Sequence, residues 1–230
     1  MDDAGDRQRP TRRLIVHALR HTEAEHKVTK TTNIEICNPR LTQRGQEQCE
    51  TIRQTFKRVL PSKPKIFSSP LYRALETIFR SFPSFIDAET GTIVRLLAEL
   101  QSLDDGRNGT ASSLHKLSED WGFEVSFKEL RIGYNRKDVK ETAAWATIPG
   151  RRAFLNTLLE QIFEEMTEGI EEVVFGTHSS IIREVFYLDE DDDYRANRRQ
   201  FLHSFEWDSD NRKLIPLSQK QVAAYRDTRE

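Results

Sequence analysis

A chain of 230 residues with 31% charged and 37% hydrophobic side chains is long enough to bury one sizeable core and too apolar to stay disordered; it reads as a single soluble domain. Lysine plus arginine (35) nearly cancel aspartate plus glutamate (37), leaving a formal charge of -2 and no broad basic field for nucleic acid or an anionic membrane. Any anion has to be caught locally.

The opening "MDDAGDRQRPTRR" shows no targeting or anchoring pattern, and no uncharged run approaches the ~18 residues of a membrane span. "RLIVHAL" (13–19) is an unbroken apolar run of strand length, which suits a parallel strand buried on both faces. It leads straight into "LRHTEAEH" (19–26), where an arginine, two histidines and carboxylates crowd together. "LTQRGQEQCETIRQTFKRVL" (41–60) predicts a helix and "PKIFSS" (64–69) a second strand. "SPLYRALETIFRSF" (69–82) predicts a helix capped by Ser69, with Pro70 at its first position and Arg73 near the positive end of its dipole. Cys37 and Cys49 are too few for a disulfide framework and read as free thiols in a reducing, cytoplasmic setting.

From 102 to 150, "SLDDGRNGTASS" and "DWGFEVSFKELRIGYNRKD" keep no period, and the segment reads as a cap-like insertion covering the site. "RRAFLNTLLEQIFEEMTE" (151–168) then repeats Phe154, Leu155, Leu158, Leu159, Ile162, Phe163 and Met166 at helical spacing, so that face lies on a sheet. "EEVVFGTH" (171–178) is a third buried strand. The acidic "LDEDDDY" (188–194) before "RANRR" reads as a solvated loop. "FLHSFEWD" and "RKLIPL" predict a closing hairpin, and the polar tail from 218 is expected to be loose.

Strands alternating with helices predict a three-layer α/β/α sandwich with a mostly parallel central sheet, its core over about 13–215. In such sheets the ligand crevice lies beyond the carboxyl ends of the strands. Arg20, His21, Arg73 and His178 all fall just after a strand or at a helix start and can face one pocket. That pocket suits a dianion: arginine forks match phosphoryl oxygens bidentately, and a neutral imidazole can attack phosphorus or donate to its oxygens. His17, His21 and His26 do not read as a metal site, because a spacing of four on a strand lacks the helical geometry of a zinc motif. No metal or cofactor is expected.

Four segments occur in the order of a known family. "LRHTEAEH" is similar to the Arg-His-Gly/Ala motif of the histidine phosphatase (phosphoglycerate mutase-like) superfamily, and "NPRLTQRGQEQC" (38–49) to its Leu-Thr-x-x-Gly element. "SSPLYRALETI" (68–78) resembles its Ser-Pro-x-x-Arg-Ala-x-x-Thr element and "VVFGTHSS" (173–180) its second histidine, so that the resemblance covers roughly 13–186. It implies that His21 forms a phosphohistidine and that Arg20, Arg73 and His178 surround the transferred phosphoryl oxygens; His26 is a further phosphate-binding candidate that either lines the pocket or hydrogen-bonds its loop.

The proton donor departs from the family pattern. Where Leu-x-Glu is common, "ELQSLDD" aligns Ser102 with the acid, and a serine hydroxyl is far too weak an acid for the task. Asp105, followed by a glycine that permits a turn, is the preferred substitute, ahead of Asp104 and Glu99. Thr22, Asn38, Lys27, Ser179 and Ser180 are smaller departures; Thr22 adds bulk and a hydroxyl beside the nucleophile. The resemblance thus implies a metal-independent phosphatase, monomer or dimer, acting on a small phosphorylated or diphosphorylated metabolite. The missing acid keeps two alternatives open: a phosphate-binding protein without turnover, and another reaction on an anionic metabolite.

Overall fold

The computed structural model describes residues 12–28, 36–56, 64–86, 92–104, 106–136, 144–187, 192–197, 200–218, 220–222 and 224. Seven strands form one sheet in the order β4-β3-β2-β5-β1-β6-β7. They are β1 (Arg12–Arg20), β2 (Lys65–Ser68), β3 (Val94–Leu96), β4 (Val125–Ser126), β5 (Gly169–Thr177), β6 (Leu202–Asp208) and β7 (Lys213–Pro216). The first five in spatial order run parallel, while β6 and β7 add an antiparallel hairpin beside β1.

The helices are α1 (Gln43–Phe56), α2 (Tyr72–Ser81), α3 (Leu114–Trp121), α4 (Ile148–Glu165), α5 (Ser179–Ile181), which continues as a π turn over Ile182–Phe186, and α6 (Asp192–Asn197). They flank the sheet on both sides. Leu14, Val16 and Ala18 of β1 pack with Val173 and Phe175 of β5 and with Leu155, Leu159 and Ile162 of α4. Leu19 and Val174 point the other way, into a cluster with Ile66 of β2 and Leu75 and Ile78 of α2. A strand covered on both faces needs apolar side chains at consecutive positions, which explains Leu14, Ile15, Val16, Ala18 and Leu19, with His17 between them buried against Ser204 and Glu172.

Several local expectations are corrected. The helix predicted from 69 begins at Tyr72, and its first N–H is taken by Asn38 Oδ1 at 2.9 Å rather than by Ser69. Ser69 Oγ instead accepts from the Leu71 N–H at 3.3 Å. The helix predicted from 151 starts earlier, at Ile148, because Thr147 Oγ1 caps it through the Gly150 N–H at 3.1 Å and Pro149 suits its first turn. Part of the 102–150 segment does more than cover: Val125–Ser126 extends the sheet beside β3, and Leu117 and Trp145 enter the core under α2. The acidic run holds the start of α6, while 188–191 lie outside the described residues, as do 57–60 of the first predicted helix. The tail expected to be loose begins with a turn in which Ser218 Oγ accepts from the Gln221 N–H, and Val222 is buried. Both cysteines are free thiols, Cys37 exposed and Cys49 buried.

Candidate active site at the carboxyl edge of the sheet

Strand register decides which side chains meet. Arg20 pairs with Thr177 and Ser68 with both Gly176 and Leu96, so β1, β2, β3 and β5 end at one level. Cross-links continue past the strand ends: His21 N–H donates to Thr177 O at 2.9 Å, Ser69 N–H to Gly176 O at 2.8 Å and Leu97 N–H to Ser68 O at 3.0 Å. The chain positions next in line are therefore held rigidly. They carry His21 and His178, and α2 delivers Arg73 from its second residue.

His21 is fixed through both ring nitrogens. Its Nδ1 lies 2.7 Å from the Thr22 carbonyl, which only accepts, so Nδ1 carries the hydrogen and Nε2 presents a lone pair. Arg73 Nε donates to that lone pair at 3.3 Å. Burial, reinforced by the Arg73 charge, holds the His21 pKa well below its usual 6.5, and the ring is neutral. Arg73 itself is buried; burial lowers its pKa to about 10, with Asp104 opposing, and the guanidinium stays charged. Its Nη1 also donates to Asn108 O at 2.5 Å.

The His178 ring centroid lies 5.1 Å from that of His21, and its Nε2 is 3.0 Å from Ser69 Oγ. On the other side the His26 ring centroid is 5.9 Å from His21. Burial and the charges of Arg73 and Lys27 lower the His26 pKa to about 4. Arg20 stands with its guanidinium 5.0 Å from the centre of the Phe201 ring, and its charge is felt at His21. Arg73, His178 and His26 thus lie around His21, and the Arg20 charge reaches it. Such a set neutralises a tetrahedral dianion and offers it a lone pair.

Comparison with known proteins gives a partial family match and likenesses of fold. Residues 16–104 match the model of the histidine phosphatase superfamily (branch 1). Among solved structures, a variant of phosphoserine phosphatase from Entamoeba histolytica in complex with phosphoserine aligns with 91% of this chain and 98% of its own, at 17% identity and a TM-score of 0.50. The ecdysone phosphate phosphatase of Bombix mori in complex with tungstate aligns over 90% of this chain and 92% of its own, at 12% identity and a TM-score of 0.55. These likenesses show the fold. No curated protein matches the sequence significantly.

The matched stretch contains Arg20, His21, His26 and Arg73, whereas His178 lies beyond it. Of the carboxylates considered for proton transfer, Asp105 lies outside the described residues. Glu99 is 3% exposed and engages Arg131 Nε at 2.6 Å. Ser102 is buried, and its Oγ accepts from the Asp104 N–H at 3.2 Å. The exposed Asp104 is the described candidate whose charge reaches the pocket, where it favours the charged forms of Arg73 and His26. Lys27 is exposed.

Thr22 does not crowd His21 with its hydroxyl. That group turns back between α1 and α2, 3.4 Å from both Cys49 Sγ and Thr77 Oγ1. Thr77 Oγ1 accepts from the Thr22 N–H at 3.2 Å and donates to Arg73 O at 2.6 Å, joining the two halves of the site. His17 is buried in the sheet between Ser204 Oγ at 2.9 Å and Glu172 Oε2 at 3.3 Å, away from His21. Among the described residues, no group of three or more His, Cys, Asp or Glu is placed to hold a metal ion, and no helix is long and apolar enough to cross a membrane.

Sequence reasoning missed three supports. Asn38 sits at φ 47°, a left-handed conformation asparagine tolerates, and from there caps α2. Asn108 supplies the carbonyl that holds Arg73. Arg151, 1% exposed, donates to Glu99 O at 2.6 Å and Gln101 O at 2.5 Å, fixing the turn before Ser102. The Asn-Pro pair at 38–39 was a readable turn signal. Nothing local marks Asn108 or Arg151.

Proposed function

We propose that the chain is a phosphatase that cleaves a small phosphate monoester or diphosphorylated metabolite through a phosphohistidine on His21. The observation that carries this reading is the state of His21: its Nδ1–H is tied to Thr22 O and its Nε2 lone pair rests against Arg73. Phosphoryl transfer needs an in-line nucleophile, positive charge around the equatorial oxygens and a proton for the leaving oxygen. His21 Nε2 supplies the first. Arg20 and Arg73 supply the second, with Arg73 moving from the lone pair to the incoming oxygens and His178 and His26 lining the same pocket. The reaction as drawn routes no step through a metal. Phosphoserine and ecdysone phosphate, named for the two aligned structures, are both phosphate esters, and that substrate class suits this pocket.

Asp104 supports proton transfer better than Glu99, which is engaged by Arg131. A second reading, a phosphate-binding protein without turnover, rests on Ser102 standing where the resemblance leads one to expect a carboxylate. The two are separated by incubating wild type and His21→Ala with aryl phosphates, sugar phosphates and diphosphates in chelator, following inorganic phosphate and acid-labile phosphoprotein. The phosphatase reading expects both from wild type and neither from His21→Ala. Tight ester binding with no phosphate released and no phosphoprotein supports the binding reading.

A further inference from the structure

The three imidazoles of the pocket are not equivalently engaged. His21 has Thr22 O on Nδ1 and Arg73 on Nε2, and His178 has Ser69 Oγ on Nε2. His26 Nδ1 is buried with no hydrogen-bond partner among the described residues. The backbone that carries it is pinned. His26 stands in the 3-10 turn Glu25–Lys27, which is pinned by Glu25 N–H to Arg40 O at 3.1 Å and Lys27 N–H to Ala24 O at 2.8 Å, with Ala24 fully buried. An unmatched buried ring nitrogen is unfavourable. The His26 ring centroid lies 5.9 Å from that of the nucleophilic ring, within reach of a phosphoryl group carried on His21.

We infer that His26 is the proton carrier of the reaction, donating to the leaving oxygen and then accepting from water, with Asp104 acting through it as a positioning residue. The inference rests on the phosphatase reading. The charged groups around His26 are Arg73, Lys27 and Asp104, with His21 beside it. In the free protein burial, together with the charges of Arg73 and Lys27, keeps His26 neutral. A phosphate dianion offsets those charges, and Asp104 adds to the pull, so His26 takes up a proton from solvent as substrate binds. His21 Nε2 then bonds to phosphorus while the bond from phosphorus to the ester oxygen breaks, and the leaving oxygen receives the His26 proton and departs as an alcohol. Water next attacks the phosphohistidine and passes a proton to the now neutral His26. The nitrogen–phosphorus bond breaks, and phosphate leaves with His21 restored.

The test compares an alkyl ester, glycerol phosphate, with an aryl ester, p-nitrophenyl phosphate, on wild type, His26→Gln and Asp104→Asn. Glutamine keeps polarity and size but cannot carry the proton. General acid catalysis contributes about 100 to 10,000-fold, and an aryl leaving group needs little of it. His26→Gln should therefore lose about 100-fold or more of kcat/KM on glycerol phosphate, and at least about 10-fold less than that on the aryl ester. Asp104→Asn, altered at an exposed position, should show the same bias and move the alkyl-ester optimum to lower pH. Equal losses on the two esters, or no loss, overturn the inference. Wild-type turnover of the aryl ester alone also overturns it, because a working proton donor is what an alkyl ester requires. If wild type hydrolyses neither and traps no phosphoprotein, the phosphatase reading fails first and this inference with it.

Discussion

Thr77→Val tests whether the polar link behind the nucleophile holds the site together. Thr77 is 1% exposed, and valine matches its shape, so packing changes little. What disappears is the acceptor for the Thr22 N–H at 3.2 Å and the donor to Arg73 O at 2.6 Å. The Thr22 hydroxyl still has Cys49 within 3.4 Å, but the buried Thr22 N–H loses its side-chain acceptor. An unsatisfied buried donor costs about 1–3 kcal/mol. For a chain of this size each kcal/mol moves the thermal midpoint by about 2–4 °C, so Tm should fall by about 2–12 °C. Thr22 O is also what holds His21 Nδ1, so phosphoenzyme formation should slow together with the loss of stability. Urea unfolding and a thermal melt measure the first effect, and acid-labile phosphoprotein the second. Thr77→Ser keeps the hydroxyl and should recover most of the loss. Thr77→Val unfolding within about 0.5 kcal/mol of wild type, the range of a neutral surface change, would refute the reasoning. So would Thr77→Ser being as unstable as Thr77→Val.

Two further changes follow from the same geometry. A Cβ at Gly45 would run into Glu23 O, a backbone atom, so Gly45→Ala must push α1 off the turn after His21; it should cost about 1–3 kcal/mol by urea unfolding, and a gain of about 1 kcal/mol from helix propensity alone would contradict this. Acid stability should track the histidines: burial first, then neighbouring charge, lowers His26 and His203 to about 4 and His21 well below 6.5 in the folded chain. Below about pH 6.5 the unfolded chain therefore binds more protons, and stability present above that pH is lost as pH falls toward about 4. A urea midpoint that is flat from about pH 6.5 to 5, above the carboxylate range, would show these rings are not held neutral.

Much of the scaffold was readable because its cues are local. A strand buried on both faces favours apolar residues at successive positions, and β1, β2 and β5 were found on that ground. The apolar stripe of α4 follows from helical period. Arg20, His21, Arg73 and His178 were legible for a related reason: parallel strands end together, so residues just past their ends converge whatever lies between them.

Partner choice across the fold was not legible. Asn38, rather than Ser69, caps α2 from 34 positions upstream of Tyr72, and Glu99 rather than Asp104 is taken by Arg131. The Thr22 hydroxyl turns away from His21 because α1 and α2 bring Cys49 and Thr77 behind it. The amino-acid sequence by itself determined the element types, the sandwich class and the set of charged groups at the carboxyl edge, since each depends on spacing along one element. Only the tertiary structure decided which polar atoms those groups face and which are left for a proton, because hydrogen bonds and burial depend on distances between elements that spacing does not encode.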